Sequence, residues 1–280
     1  MDQKQKPIIK VVKKMAAKIY TITSGKGGTG KSIFAVNLAA AISGLAKKTL
    51  LIDADLGMAN ICLMLGLEDS KITLHEVLAD EANVADALYD GPNGLKVIPS
   101  GLSLQGFKKA DPAKLKDVIA EVSPNFEFIV IDTPSGINHV TASSIEICDE
   151  VIMVLTPEIT SITDGSKMKA FSAMLGKEVA GIVLNRTMPE HDETYREKLA
   201  SSVDLNVLEV LPEDASIPNS IIAKSPAVAN YPYSEISIAM NRCAALLCGI
   251  KIPEPKEGKA QKNEKKRVLN TKIPFSQSKK

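Results

Sequence analysis

The chain has 280 residues, 45% of them hydrophobic, which suits one large α/β core better than two small ones. Its formal net charge of +1 hides basic ends on an acidic body: residues 1–18 carry six lysines against Asp2, residues 251–280 ten basic residues against three acidic, and residues 19–250 hold 18 against 29. No run approaches the roughly 18 apolar residues of a membrane span, no secretory leader is legible, and four cysteines without a C-x-x-C pair exclude a disulfide scaffold, so a cytoplasmic protein whose basic arms meet anionic surfaces is expected.

The first predicted element is a basic arm over residues 1–18. With Pro7 in the first turn, Ile8, Ile9, Val11, Val12, Met15 and Ala16 fall within about 160° on a helix, and Lys10, Lys13 and Lys14 take the other side. Such a helix suits the interface of an anionic membrane, where each lysine gains about 1 kcal/mol. Its shortness favours a stripe packed on the parent domain instead, and a strand over 8–12 fits the same residues.

Residues 18–24 read as a buried strand that runs straight into Gly25-Lys26-Gly27-Gly28-Thr29-Gly30-Lys31-Ser32, a G-x-x-x-x-G-K-[ST] phosphate loop. Glycines let backbone N–H groups converge on phosphates, and the helix expected over 33–42, apolar on nearly every face apart from Asn37, points its positive end at the same charge. Lys31 then reaches the β- and γ-phosphates of a nucleoside triphosphate, and the Ser32 hydroxyl is a ligand for Mg2+.

Further strands are predicted at 49–53, 95–99, 126–132, 150–156, 178–185 and 206–211, alternating with helical patterns. This is a doubly wound, mostly parallel sheet with helices on both faces, whose strand ends gather Lys31, Asp53, Asp132, Thr156, Asn185 and Pro212. Strand alternation places Asp53 and Asp55 on one side, and Asp132 closes an apolar strand as an Mg2+-holding acid does beside a phosphate loop. The small loop Thr133-Pro134-Ser135-Gly136 is placed to feel the γ-phosphate, with the Gly136 N–H able to approach an oxygen.

No serine or cysteine nucleophile has its partners, which leaves phosphoryl transfer to water. His75, His139 and His191 stand alone and are expected at the surface or in caps; Cys62, Cys148, Cys243 and Cys248 are expected as buried thiols. After Gly249 the composition turns lysine-rich, and residues 251–280 are expected to be disordered.

Three segments carry a resemblance: Ser24-Gly-Lys-Gly-Gly-Thr-Gly-Lys-Ser32, Ile52-Asp-Ala-Asp-Leu-Gly-Met-Ala-Asn60 and Ile131-Asp-Thr-Pro-Ser-Gly-Ile137 resemble the MinD/ParA family of deviant Walker A ATPases. Residues 156–164 and 211–216 are nearest its MinD branch, and the similarity spans about residues 19–250, read as one P-loop ATPase domain of the SIMIBI type. The resemblance implies ATP and Mg2+. It further implies that Lys26 crosses a dimer interface to the partner's phosphates, that Lys31 and Ser32 bind phosphate and metal, and that Asp55 orients the attacking water. Asp132 would hold Mg2+ with Asp53 nearby, and Asn185, Pro212, Glu213 and Asp214 would contact adenine.

A homodimer formed on ATP, an activating protein, and a role as a spatial switch in division-site selection or in positioning a cellular apparatus follow from the same resemblance. The tail departs from it, being poorly amphipathic and interrupted by Pro274, so the N-terminal arm is the better candidate for peripheral attachment at the inner face of a membrane. The alternative is a ParA-like partition ATPase whose basic arms bind DNA without reading sequence. Metal-cluster handling is not expected, because Cys243 and Cys248 diverge by about 140° on a helix.

Overall fold

A computed structural model describes residues 17–191 and 193–251, so the predicted arm through Ala16 and the tail beyond Lys251 lie outside the described residues. Among the described residues eight strands form one sheet: β1 (Lys18–Thr23), β2 (Thr49–Asp53), β3 (Tyr89–Asp90), β4 (Lys96–Ile98), β5 (Phe128–Asp132), β6 (Glu150–Leu155), β7 (Val179–Thr187) and β8 (Val207–Pro212). Their order is β3-β4-β2-β5-β1-β6-β7-β8, and every pairing is parallel except β3 with β4. Seven strands were predicted within two residues of their ends. The two-residue β3 was not, because Tyr89-Asp90 carries no alternation to read.

The interior strands are apolar along most of their length because both sheet faces are covered. Ile19, Leu50, Ile52, Ile129, Ile131, Val151 and Met153 enter one core with the helices Leu115–Val122 and Ile159–Met174. Their neighbours Tyr20, Ile22, Leu51, Val130, Ile152 and Val154 enter a second core on the opposite face. There the helices Lys31–Gly44 and Glu235–Leu247 close over the sheet. The helix after the phosphate loop is buried nearly throughout, as its apolar sequence requires. Its one interior amide, Asn37, is satisfied: Nδ2 donates to the Ile33 carbonyl at 2.9 Å and Oδ1 accepts the Val228 N–H at 3.1 Å.

This topology brings β1 to the middle of the sheet, flanked by β5 and β6, with β2 beyond β5. The loops leaving the carboxyl ends of these strands therefore meet around residues 24–32. The thiols are free: Cys62, Cys148 and Cys243 are buried as expected, and Cys248 is half-buried.

Candidate nucleotide site

Gly30 ends the phosphate loop in the left-handed region, at φ 87°, and a Cβ there would collide with the Asn185 amide. No side chain caps the helix that starts at Lys31, so its first N–H groups are free to face an anion. At the other end of the loop a Cβ on Gly25 would stand 2.5 Å from the Asp164 backbone, so only glycine lets the loop lie against the helix Ile159–Met174. Asn185 Nδ2 donates to the Thr29 carbonyl at 2.7 Å and ties the end of β7 to the loop.

Lys31 and Asp132 are almost wholly buried and form an ion pair at 2.8 Å, with Lys31 Nζ 3.4 Å from the Ser32 hydroxyl. Among the described residues Asp132 Oδ2 is buried without a hydrogen-bond partner, as are the Thr23, Thr29 and Thr156 hydroxyls nearby. Asp53 lies opposite Asp132 in the β2–β5 register and is fully buried. Burial first, and the neighbouring Asp132 second, push its carboxyl well above the usual carboxylate range.

Asp53 and Asp55 are brought together by a different route from strand alternation. β2 stops at Asp53, and a tight turn follows in which Leu56 N–H donates to the Ala54 carbonyl at 2.9 Å. Asp53 shapes that turn, its Oδ1 accepting the Asp55 N–H at 3.1 Å and its Oδ2 the Ile61 N–H at 3.2 Å. Asp55 remains half-buried and lines the phosphate-loop cavity; burial raises its carboxyl, opposed by Lys31. Both Asp53 oxygens are thus engaged by the loop, and the unpartnered oxygen of the pair belongs to Asp132.

The cavity over the loop, about 280 Å³, is lined by Gly28, Thr29, Gly30, Lys31, Ser32, Asp55 and Ser135 among others. A second of about 220 Å³ is lined by Asn185, Pro212, Glu213 and Asp214 together with Ile33 and Ile217, so the four expected base contacts do converge. Arg186 and Ile33 line both, so the two cavities are neighbours. Sequence reasoning missed Arg186, a non-glycine held at φ 58° where β7 pairs irregularly with β8.

Gly136 adopts φ 76°, but its N–H donates to the Ser24 carbonyl at 2.9 Å instead of facing the cavity. Lys26 points away from Lys31: its Nζ pairs with Glu158 Oε2 at 2.5 Å and lies 3.3 Å from the Thr160 hydroxyl, both at the start of the helix Ile159–Met174. No periodicity in the sequence joins Lys26 to Glu158.

Of the three histidines, His139 is exposed and His191 caps a turn by accepting the Met188 N–H at 3.0 Å. His75 corrects the expectation. It is 1% exposed, with Nε2 3.0 Å from the Leu56 carbonyl, because the helix Leu74–Leu78 packs inward under the Asp55 loop.

The model of a family described as an AAA domain matches residues 17–179. An uncharacterized ATP-binding protein of Methanocaldococcus jannaschii is 40% identical over 230 residues, covering 82% of this chain and 87% of the relative. Among solved structures, the cell division ATPase MinD of Pyrococcus furiosus superposes with a TM-score of 0.78 at 35% identity, covering 83% of this chain and 99% of that one. The septum site-determining protein MinD of Pyrococcus horikoshii, complexed with Mg-ADP, gives a TM-score of 0.77 at 35% identity, covering 82% and 96%. Phosphate loop, strand-end acids, sheet order and these similarities agree, and the chain belongs to the MinD/ParA family of P-loop ATPases, on its MinD side.

Proposed function

We propose that this protein binds ATP with Mg2+ in the cleft between the phosphate loop and Asp214, pairs with a second copy of itself when ATP is bound, and hydrolyses ATP in that pair. The cycle would serve as a spatial switch in division-site selection or in positioning a cellular apparatus. The observation that carries the reading is the placement of two lysines on one loop. Lys31 is buried against Asp132, while Lys26 stands on the outer rim, half-exposed and paired only with surface groups. A cation on the rim is available to a facing protomer, and Met58, Ile137 and Ile159, 72%, 56% and 80% exposed, sit on the segments that follow β2, β5 and β6 around it. Exposed apolar residues ringing a charged cleft suit a surface that closes on a partner.

The residues present fit Mg2+. A buried carboxylate oxygen with no partner, Asp132 Oδ2, on the residue that pairs with Lys31 beside Ser32, is the donor set a hard cation takes. Ser32 and Asp132 would hold the ion, with Asp53 behind them; the Mg-ADP complex of the Pyrococcus horikoshii relative supports binding of a nucleotide with Mg2+. When bound, Mg2+ would neutralise charge on the β- and γ-phosphates. Lys31 and the free N–H groups at the head of its helix would grip the same phosphates, and Asn185 with the 212–214 segment would seat the base. Asp55 would orient the attacking water. Lys26, released from Glu158, would supply positive charge to the partner's cleft, as an arginine finger does.

Attachment is proposed through the N-terminal arm on an anionic membrane, with dimerisation doubling the anchors so that ATP controls avidity. An activating protein, as yet unidentified, would trigger turnover. Sedimentation of full-length protein, and of a truncation starting at Lys18, with anionic liposomes and with DNA in ATP and in ADP tests the proposal. We expect ATP-dependent pelleting with liposomes that the truncation loses. Salt-sensitive pelleting with DNA alone would instead favour the partition reading, and liposome pelleting that survives truncation would remove the arm's role.

A further inference from the structure

The His75 ring is enclosed, and one of its two nitrogens has no partner among the described residues. Nε2 stands 3.0 Å from the Leu56 carbonyl and 3.3 Å from the Ser100 hydroxyl, whereas Nδ1 is buried and unbonded there. A carbonyl only accepts, so Nε2 carries the proton. Leaving Nδ1 unmet carries a desolvation cost that a leucine of similar size would avoid. The imidazole is therefore not explained by packing; what it provides is a donor aimed at Leu56.

The surroundings fix the ring in place. A Cβ on Gly101 would lie 2.7 Å from Nδ1 and one on Gly106 3.0 Å from it, so these two backbones close directly over the ring. The helix that carries it is anchored by a reciprocal cap between Thr73 and Glu76 and by the Leu74 N–H donating to the Pro99 carbonyl at 2.9 Å. Leu56 is the residue after Asp55. The loop is thus pinned just before its half-buried carboxylate by Asp53 and just after it by His75.

We propose that His75 is a positioning residue for hydrolysis, holding the Leu56 carbonyl from outside the cleft so that the Asp55 carboxylate meets the attacking water. The proposal rests on the role given above to Asp55. An ångström of misplacement costs up to about a hundredfold in rate, whereas phosphate binding uses other residues.

The test compares His75→Leu and His75→Gln, whose amide places a donor near Nε2, with Asp55→Ala as a control, measuring kcat and the affinity for a fluorescent ADP. We expect His75→Leu to lose roughly ten- to a hundredfold in kcat with ADP affinity within about twofold, and His75→Gln to recover most of the rate. A folded His75→Leu turning over at the parent rate, or equal losses in both variants, would overturn the proposal. Nitrogen-15 spectra of the unmutated chain stand apart from any folding defect: they should show His75 protonated at Nε2 and bare at Nδ1, and the opposite tautomer would overturn it too. Asp55→Ala with intact turnover would break the hydrolysis reading itself. Loss of turnover in Asp55→Ala but not in His75→Leu would sink this proposal alone.

Discussion

Replacing Lys31 with alanine is expected to weaken ATP binding by roughly 30- to 150-fold and to destabilise the nucleotide-free protein at the same time. The first effect follows from losing a charge-assisted contact to phosphate, about 2–3 kcal/mol. The second follows from the 2.8 Å pair with Asp132. Without the ammonium, two carboxylates that oppose each other across β2 and β5, both fully buried, have no cation between them. Removing one partner of a buried pair costs about 3–5 kcal/mol, because the remaining charge cannot return to water. Urea denaturation should register that loss, and Asp132→Asn added to Lys31→Ala should recover most of it without restoring ATP binding. A lysine that served only phosphate would leave stability untouched, so undiminished stability in Lys31→Ala would contradict the buried-pair account.

Asp55→Ala should separate binding from chemistry. Asp55 lines the phosphate-loop cavity, yet its side chain bonds to the loop itself, Oδ1 accepting the Met58 N–H at 3.1 Å. It is not needed to hold phosphate, so ADP affinity should change by no more than about threefold. Loss of the group that orients water should lower kcat by roughly 10²–10⁴. Because ATP would then persist, the ATP-bound pair should accumulate and outlast that of the parent protein. Single-turnover hydrolysis combined with gel filtration in ATP checks both outcomes, and a parallel loss of affinity and rate would place Asp55 in binding instead.

The fold was legible where burial is symmetric. Runs such as Phe128-Ile129-Val130-Ile131-Asp132 read as interior parallel strands because both faces are covered, and their polar ends marked the cleft before any coordinate did. The phosphate loop was legible because its chemistry is local: eight consecutive residues specify it. What escaped was set by contacts between distant residues. Lys26 and Glu158 are 132 positions apart, and His75 meets Leu56 across 19. Thr73 and Glu76 cap the helix that carries His75, but nothing in Thr73-Leu74-His75-Glu76 says that its second helical residue faces inward toward an Asp55 loop.

The Asp53 and Asp55 pair marks the limit of periodicity. Alternation set Asp53 and Asp55 side by side for a reason the structure does not bear out, since the strand ends at Asp53 and a side-chain-to-backbone bond, not the pleat, sets the position of Asp55. Gly136 was expected to turn its N–H toward the γ-phosphate; it donates instead to the Ser24 carbonyl, a partner that depends on how β1 and β5 lie side by side.

The central claim is that two copies face each other and exchange Lys26 between their clefts. Sedimentation velocity of the unmutated protein and of Lys26→Ala, in ATP and in ADP, run beside turnover measured across protein concentration, tests it most directly. The account predicts that the parent protein pairs in ATP but not in ADP and that its rate per protomer rises with concentration, whereas Lys26→Ala still binds ATP yet neither pairs nor turns over. Pairing and turnover both intact in Lys26→Ala would contradict it.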